Sequence, residues 1–337
     1  MASELKKVVF VNGSGLTDEE SLSIFCPIAS ESHASAKESN QLFAHYTSAR
    51  VAQSILQKSE FWMRNALHQN DFSEIQYAQS MLRETFQSEL GGSFFKSLDR
   101  CHEGLGDEVR SVYESQDFQR RLLQETFIAC ITKHYQQEAG VGRLSMWRAY
   151  GGTNPVAIVF AQKALVRPEA NPGGFVQPVH YANQEHFRQE LVRTTGRIFD
   201  ARDRLSLVPR QDVKNLAVGS LLAKVTCTKH PGFREECEWR LVMSSLYGCQ
   251  LAGPQYSLEE IEGAQQVVYK ARLALPGADD VAGMTMESAI HQIIIGPCAD
   301  PQSVRKSLVD QLQGVISLSD RVVFSDIPLR RKQLRVK

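Results

Sequence analysis

Between about residues 74 and 137 apolar residues recur at three- and four-residue spacing, and after Gly142 the texture changes to short strands and turns. That order constrains the fold more than any other feature. EIQYAQSMLRETFQSEL and DFQRRLLQETFIACITKHYQQE both read as helical, with Gly91, Gly92, Gly104 and Gly106 marking breaks between pieces. NPVAIVF, GFVQPVHYA, CEWRLVM, QVVYKARLAL, HQIIIGP and RVVFSD read as strands. QEHFRQELVRTT, VKNLAVGSLLAKVTC and DPQSVRKSLVDQL read as helices between them. Ahead of the helical stretch, QLFAHYTS reads as a strand, ARVAQSILQK as a short helix capped by Thr47 or Ser48, and FWMRN as a second strand. Strand–helix–strand, then helices, then mostly strands favours α+β over regular βα alternation. Residues 1–40 read as a variable lead-in, with one early strand and a loose Ser- and Glu-rich approach, and 41–330 as a single domain.

Charge narrows the partners little, because 38 basic residues balance 38 acidic ones. No apolar run approaches the roughly 20 residues of a membrane span, and the four-residue apolar stretch after Lys6 and Lys7 is too short for a signal-peptide core. Seven scattered cysteines without a CxxC pair argue against a zinc site or disulfide framework and point to a reducing cytoplasm. Nothing in the pattern calls for a metal.

Four clusters could carry chemistry. HYTS at 45–48 can present the imidazole of His45 and a hydroxyl of Thr47 or Ser48 into one cleft, or simply pack a surface histidine. The run Asn70-Asp71-Phe72-Ser73-Glu74 supplies helix caps, a role compatible with a binding loop. In SMWRAYGG, Trp147 and Tyr150 lie beside a Gly-Gly turn and can sandwich a flat ring; the alternative is an aromatic core cluster, which suits Trp147 better than Tyr150. In Glu235-Glu236-Cys237-Glu238-Trp239-Arg240, strand alternation puts Glu236, Glu238 and Arg240 on one face and Cys237, Trp239 and Leu241 on the other. The charged face is either a solvated edge or a functional cluster, since adjacent carboxylates repel without cations nearby.

In order, HYTS, NDFSE, MWRAYGG and EECEWRLV, with the later IIIGP, resemble a widespread bacterial domain-of-unknown-function family over roughly residues 41–325. That pattern in turn resembles the ADP-ribosyltransferase fold, whose opening is similar to LFAHYTSARVAQSILQKSEF. The resemblance implies a split β-sheet with a helical insertion, about 74–140, between the first and second motif. It also implies His45, Tyr150 and Glu238 around one NAD cleft, with Glu236 and Glu238 as the catalytic pair. Tyr46, Thr47, Ser48, Trp147, Arg240 and Asn70 would join His45 and Tyr150 in contacting NAD, which is consumed as substrate. The Trp-containing segment around Tyr150 and the long insert depart from the usual pattern. The expected reaction moves ADP-ribose from NAD to a protein or nucleic-acid acceptor. Alternatives are an NAD glycohydrolase, a nucleic-acid-binding domain using RTTGRIFDARDRL and LRRKQLRVK, and a non-catalytic interaction module.

Overall fold

In the computed structural model, residues 15–68, 73–165, 174–247, 255–261, 263–273, 286–312 and 319–328 are described. The early strand expected before residue 15 and the tail LRRKQLRVK lie outside them. The chain is α+β with mixed strand pairing and divides into two compact units. The first takes Met1–Ser39, Trp62–Cys130 and Pro168–Ala271; the second takes Asn40–Phe61, Ile131–Arg167 and Arg272–Lys337.

The first unit is mainly helical. Asp18–Phe25 and Pro27–Glu38 open it, the former with a full capping box between Thr17 and Glu20. The expectation of a loose approach there is therefore corrected. Its serines are small enough to sit in a helix, and Ala29 and Ala36 give the second helix a buried stripe. Ser73–Phe86, Glu89–Asp99, Leu105–Glu114 and Gln116–Gln124 follow, and Gln184–Asp200 and Arg210–Thr226 complete the body. Apolar residues from these helices share one core that includes Leu82, Phe94, Leu105, Phe118, Leu191 and Leu221. Arg210–Thr226 is buried at nearly every position from Val213 onward, which is why its sequence lacks a clear polar face.

A second correction concerns Thr126–His134, which is a strand where helical spacing was read on from the preceding helix. Glu125 ends that helix, and TFIACITKH then runs apolar and β-branched with hardly a polar interruption, as a strand buried on both faces does. Within the first unit, Glu238–Ser244 pairs with this strand and, antiparallel, with Gly174–Pro178 in the register Pro178↔Trp239. A separate parallel pair joins His180–Tyr181 to Thr228–Lys229, with His180 opposite Thr228 and Tyr181 opposite Lys229.

The second unit is a sheet with helices. Leu42–Ser48 lies antiparallel between Pro155–Phe160 and residues 132–134, and Pro155–Phe160 continues antiparallel to Ile290–Ile295. Val322–Phe324 adds a parallel edge to the latter. Pro155–Phe160 is buried throughout, consistent with its unbroken apolar sequence. Ala49–Lys58, capped by Ser48, is the helix expected after HYTS, whereas LSMWRAY, read as part of a strand-and-turn region, forms helix Leu144–Tyr150 and ends at Gly151.

Two adjacent glycines of helix Glu89–Asp99 are under opposite constraints. A β-carbon on Gly91 would meet the Phe86 Cα at 2.5 Å, whereas one on Gly92 would meet nothing within 4 Å. Gly91→Ala is expected to lower stability by about 1–3 kcal/mol through overpacking against backbone. Gly92→Ala is expected to raise it by about 0.4–1 kcal/mol by restricting the unfolded chain. Urea unfolding midpoints of the two variants check this difference in sign.

Candidate functional site

The polar centre of the first unit is assembled from three places in its sequence. Helix Arg210–Thr226 stops at Cys227, and the two-residue strand Thr228–Lys229 delivers Lys229. A 3₁₀ turn, Pro231–Glu236, reverses the chain. Cys237 then takes a left-handed conformation, φ 47°, before strand Glu238–Ser244 begins. Glu236 is thus not on the strand, as simple alternation had it. Instead the left-handed residue turns the chain so that Glu236 and Glu238 both reach Lys229. Glu74 arrives from the first turn of helix Ser73–Phe86.

Lys229 Nζ donates to Glu236 at 2.6 Å and to Glu238 at 3.2 Å, and lies 2.8 Å from a Glu74 oxygen. Arg240 Nε donates to Glu238 at 2.8 Å, Nη1 donates to the Thr226 carbonyl at 2.6 Å, and Nη2 donates to Glu74. Tyr181, opposite Lys229 on the short ladder, accepts the Glu238 backbone N–H at 2.8 Å. Three carboxylates therefore share two cations. Only 5% of Lys229 and Glu238 and 4% of Arg240 is exposed, so the solvated-edge alternative is excluded. The opposite face of the strand is buried too, with Trp239 packed edge-on against His33.

Burial alone would push the Glu238 carboxyl up, but the Arg240 and Lys229 charges and their hydrogen bonds outweigh it and hold it at about 2. Burial likewise opposes the charge on Lys229, yet Glu238 and Glu74 raise its pKa above the ordinary lysine value. The Cys130 thiol beside Glu238 is pushed well up, first by burial and then by that carboxylate, so it is neutral at physiological pH.

A second buried pair lies in the same unit. Lys224 Nζ donates to Glu190 at 2.7 Å, and His180 Nδ1 is 2.9 Å from the other Glu190 oxygen. Successive residues of a strand face opposite ways, so His180 and Tyr181 belong to different clusters. A cavity of about 20 Å³ beside Lys224 and Glu190, and a similar one near Tyr247, each admit about one water molecule and neither admits a dinucleotide.

The other expected residues are in the second unit. His45 makes an edge contact with Phe61 at 4.5 Å. Tyr46 is buried, stands edge-on to Trp147 at 4.6 Å and accepts the Arg143 backbone N–H at 2.7 Å. Trp147 is buried as well, so the core alternative holds for it, while Tyr150 is 38% exposed at the end of its helix. Thr47 is buried, and Ser48 caps helix Ala49–Lys58 by accepting the Val51 N–H. Asn70 lies outside the described residues. The structure therefore brings Glu236, Glu238 and Arg240 together in one cluster and joins Tyr46 to Trp147 in a core. Two members of the cluster escaped sequence reading. Glu74 was visible only as part of a capping run, and Lys229 stood in VTCTKH with no periodic signal.

Residues 146–241 match a family described as a protein of unknown function, DUF2971. The match contains Tyr150, Lys229, Glu236, Glu238 and Arg240 and leaves out His45 and Glu74. No curated protein and no solved structure matches the chain. Among the described residues no helix is long and apolar enough to cross a membrane.

The cluster sets the response to pH. Glu238 and Glu190 are both held at about 2 against an ordinary 4.5. A lowered folded-state pKa contributes stability above the unfolded value that is lost as pH falls, so roughly 3 kcal/mol per group should disappear between about pH 4.5 and 2. The raised pKa of Lys229 acts at the other end, its contribution fading only as pH rises past the ordinary lysine value of 10.5. Lys229→Met strips three carboxylates of a shared cation and should cost about 3–5 kcal/mol at pH 7. Denaturant titrations across pH would show that cost shrinking below about pH 4.5, where the carboxylates can protonate.

Proposed function

We propose that the chain cleaves NAD at the nicotinamide–ribose bond and transfers ADP-ribose to a macromolecular acceptor, with Glu236 and Glu238 as the carboxylates of the reaction. One observation carries the reading. Glu236 and Glu238 flank a left-handed residue, converge on the same ammonium group, and Glu238 is held ionised away from water. Cleavage of that bond develops positive charge at the anomeric carbon, as in glycoside cleavage. A fixed negative charge in a poorly hydrated site stabilises such a transition state without reorganisation.

Burial divides the labour between the two. Both Glu238 oxygens are already engaged by cations, and its side chain is only 6% exposed. Glu236 is more open, with 17% of its side chain exposed. Glu236 is thus the carboxylate that meets the ribose or the incoming nucleophile. Glu238 keeps Lys229 and Arg240 in place and sets the field. The resemblance implies that the second glutamate, Glu238, is the essential one; its burial is what moves the contact with substrate to Glu236 in this reading. The same resemblance implies His45 as a ribose contact and Tyr150 as a nicotinamide contact; both belong to the second unit, where Tyr150 is the exposed one of the two candidate aromatics.

The near-complete burial of Glu238 favours one competing reading, a purely structural cluster in a non-catalytic module. Nicotinamide release from NAD separates the two. Glu236→Gln should lower turnover on the order of 10²–10³-fold with a smaller loss of melting temperature than Glu238→Gln. Glu238→Gln should lower both turnover and stability. Release that rises with added lysate marks transfer to an acceptor; release indifferent to it marks a glycohydrolase. Wild-type protein that releases no nicotinamide, with Glu238→Gln affecting stability alone, supports the structural reading.

A further inference from the structure

We propose that the surface where helices Glu89–Asp99 and Gln184–Asp200 end is a docking surface for single-stranded nucleic acid, centred on Phe199. Phe199 is 40% exposed on the last turn of its helix. The Arg202 guanidinium lies 4.7 Å from the centre of its ring and that of Arg100 lies 5.2 Å away. Lys96 is exposed one turn before Arg100, whereas Arg197, two residues before Phe199, lies on the other side of its helix. All of these groups belong to the first unit.

The basic residues of this surface are weakly paired. Neighbouring basic residues are neutralised locally: Arg193 by Glu31, Arg204 by Glu20, and Arg210 by Glu108. Among the described residues no carboxylate pairs with Lys96, Arg100 or Arg197, and Arg202 has only a loose contact with Asp203 at 3.6 Å. Two of these cations, Arg100 and Arg202, thus lie against an exposed aromatic ring. Arg202 Nη1 also donates to the Phe199 carbonyl, which fixes the guanidinium plane at the helix end. Some of this placement follows from the helix dipole, which favours cations at both C-termini. The dipole does not explain an exposed phenylalanine between them.

Flat cationic and aromatic groups side by side match the chemistry of an unpaired nucleotide. Bases stack on aromatic rings and guanidinium planes, while phosphates meet the charges. The surface consists of two helix ends and projects no element that could enter a duplex groove, which selects single strands. Asp200 and Asp203 on the same turn oppose phosphate and keep the expected affinity modest. The inference stands apart from the NAD reading and does not need it.

Fluorescence anisotropy of the full chain with labelled oligouridylate and oligothymidylate tests it, with a labelled acidic peptide as the competing class. Binding should be tightest at low salt, with a log–log slope of about −2 for three cations on a single strand. Phe199→Ala should weaken it roughly tenfold, as loss of one stacking platform does, and the Arg100→Glu/Arg202→Glu double variant more strongly. Melting temperatures near the wild-type value would show that these variants are folded. No binding at low salt, binding that the variants leave unchanged, or preference for the acidic peptide would overturn the proposal.

Discussion

An ammonium group has three N–H bonds, and Lys229 has a different carboxylate for each of them. Glu74 comes from a distant part of the sequence and Glu236 and Glu238 from just beyond Lys229, so one side chain fixes the start of helix Ser73–Phe86, the turn after Thr228–Lys229 and the first residue of strand Glu238–Ser244. Arg240 repeats the connection from the opposite side and ties the end of helix Arg210–Thr226 to it. Remove Lys229, and three negative charges face one another with only Arg240 between them. A buried group of this kind adds little net stability over apolar packing, but it tolerates few alternative arrangements. That intolerance is what a site requiring fixed carboxylates needs from its scaffold.

The local conformation at Cys237 is the other half of the design. A left-handed φ is costly for a residue with a β-carbon and persists where surrounding contacts over-determine it. Here those contacts are the ion pairs of Glu236 and Glu238 on either side and the Tyr181 hydroxyl bound to the Glu238 N–H. Electrostatics and backbone strain are therefore coupled at one residue. Glu238, placed this way, remains ionised in a nearly dry setting, the condition under which a carboxylate stabilises a developing cation most strongly.

Much of the fold was legible in the sequence, and the failures have physical causes. Strands such as Pro155–Phe160 and helices such as Ala49–Lys58 announce themselves through unbroken apolar runs or a capped amphipathic pattern. Thr126–His134 was hidden because it follows a helix after a single residue and carries no Gly or Pro to mark the change. The Ser-rich segment before residue 40 misled because serine suits loops and helix surfaces equally. At the site, the proximity of Glu236, Glu238 and Arg240 could be read from spacing, but their burial could not. Alternation says which residues share a face and is silent on whether that face meets water. Lys229 was invisible for the same reason: a lysine after an apolar helix ordinarily reaches solvent, and only tertiary contacts with Glu74 and Glu238 reveal its role. Trp147 and Tyr150 show the converse, two neighbouring aromatics in one motif of which one packs inward and one stays exposed.

The claim at the centre of this account is that Glu238 is a carboxylate kept ionised by Lys229 and Arg240 inside the protein. Carbon-13 NMR of the glutamate side-chain carboxyls, with Glu238 assigned through Glu238→Gln, measures this directly. The account predicts that the Glu238 resonance holds its ionised position down through pH 4 and moves only as the protein nears acid unfolding. A Glu238 carboxyl that titrates near 4.5 in the folded protein, like an ordinary exposed glutamate, would contradict it.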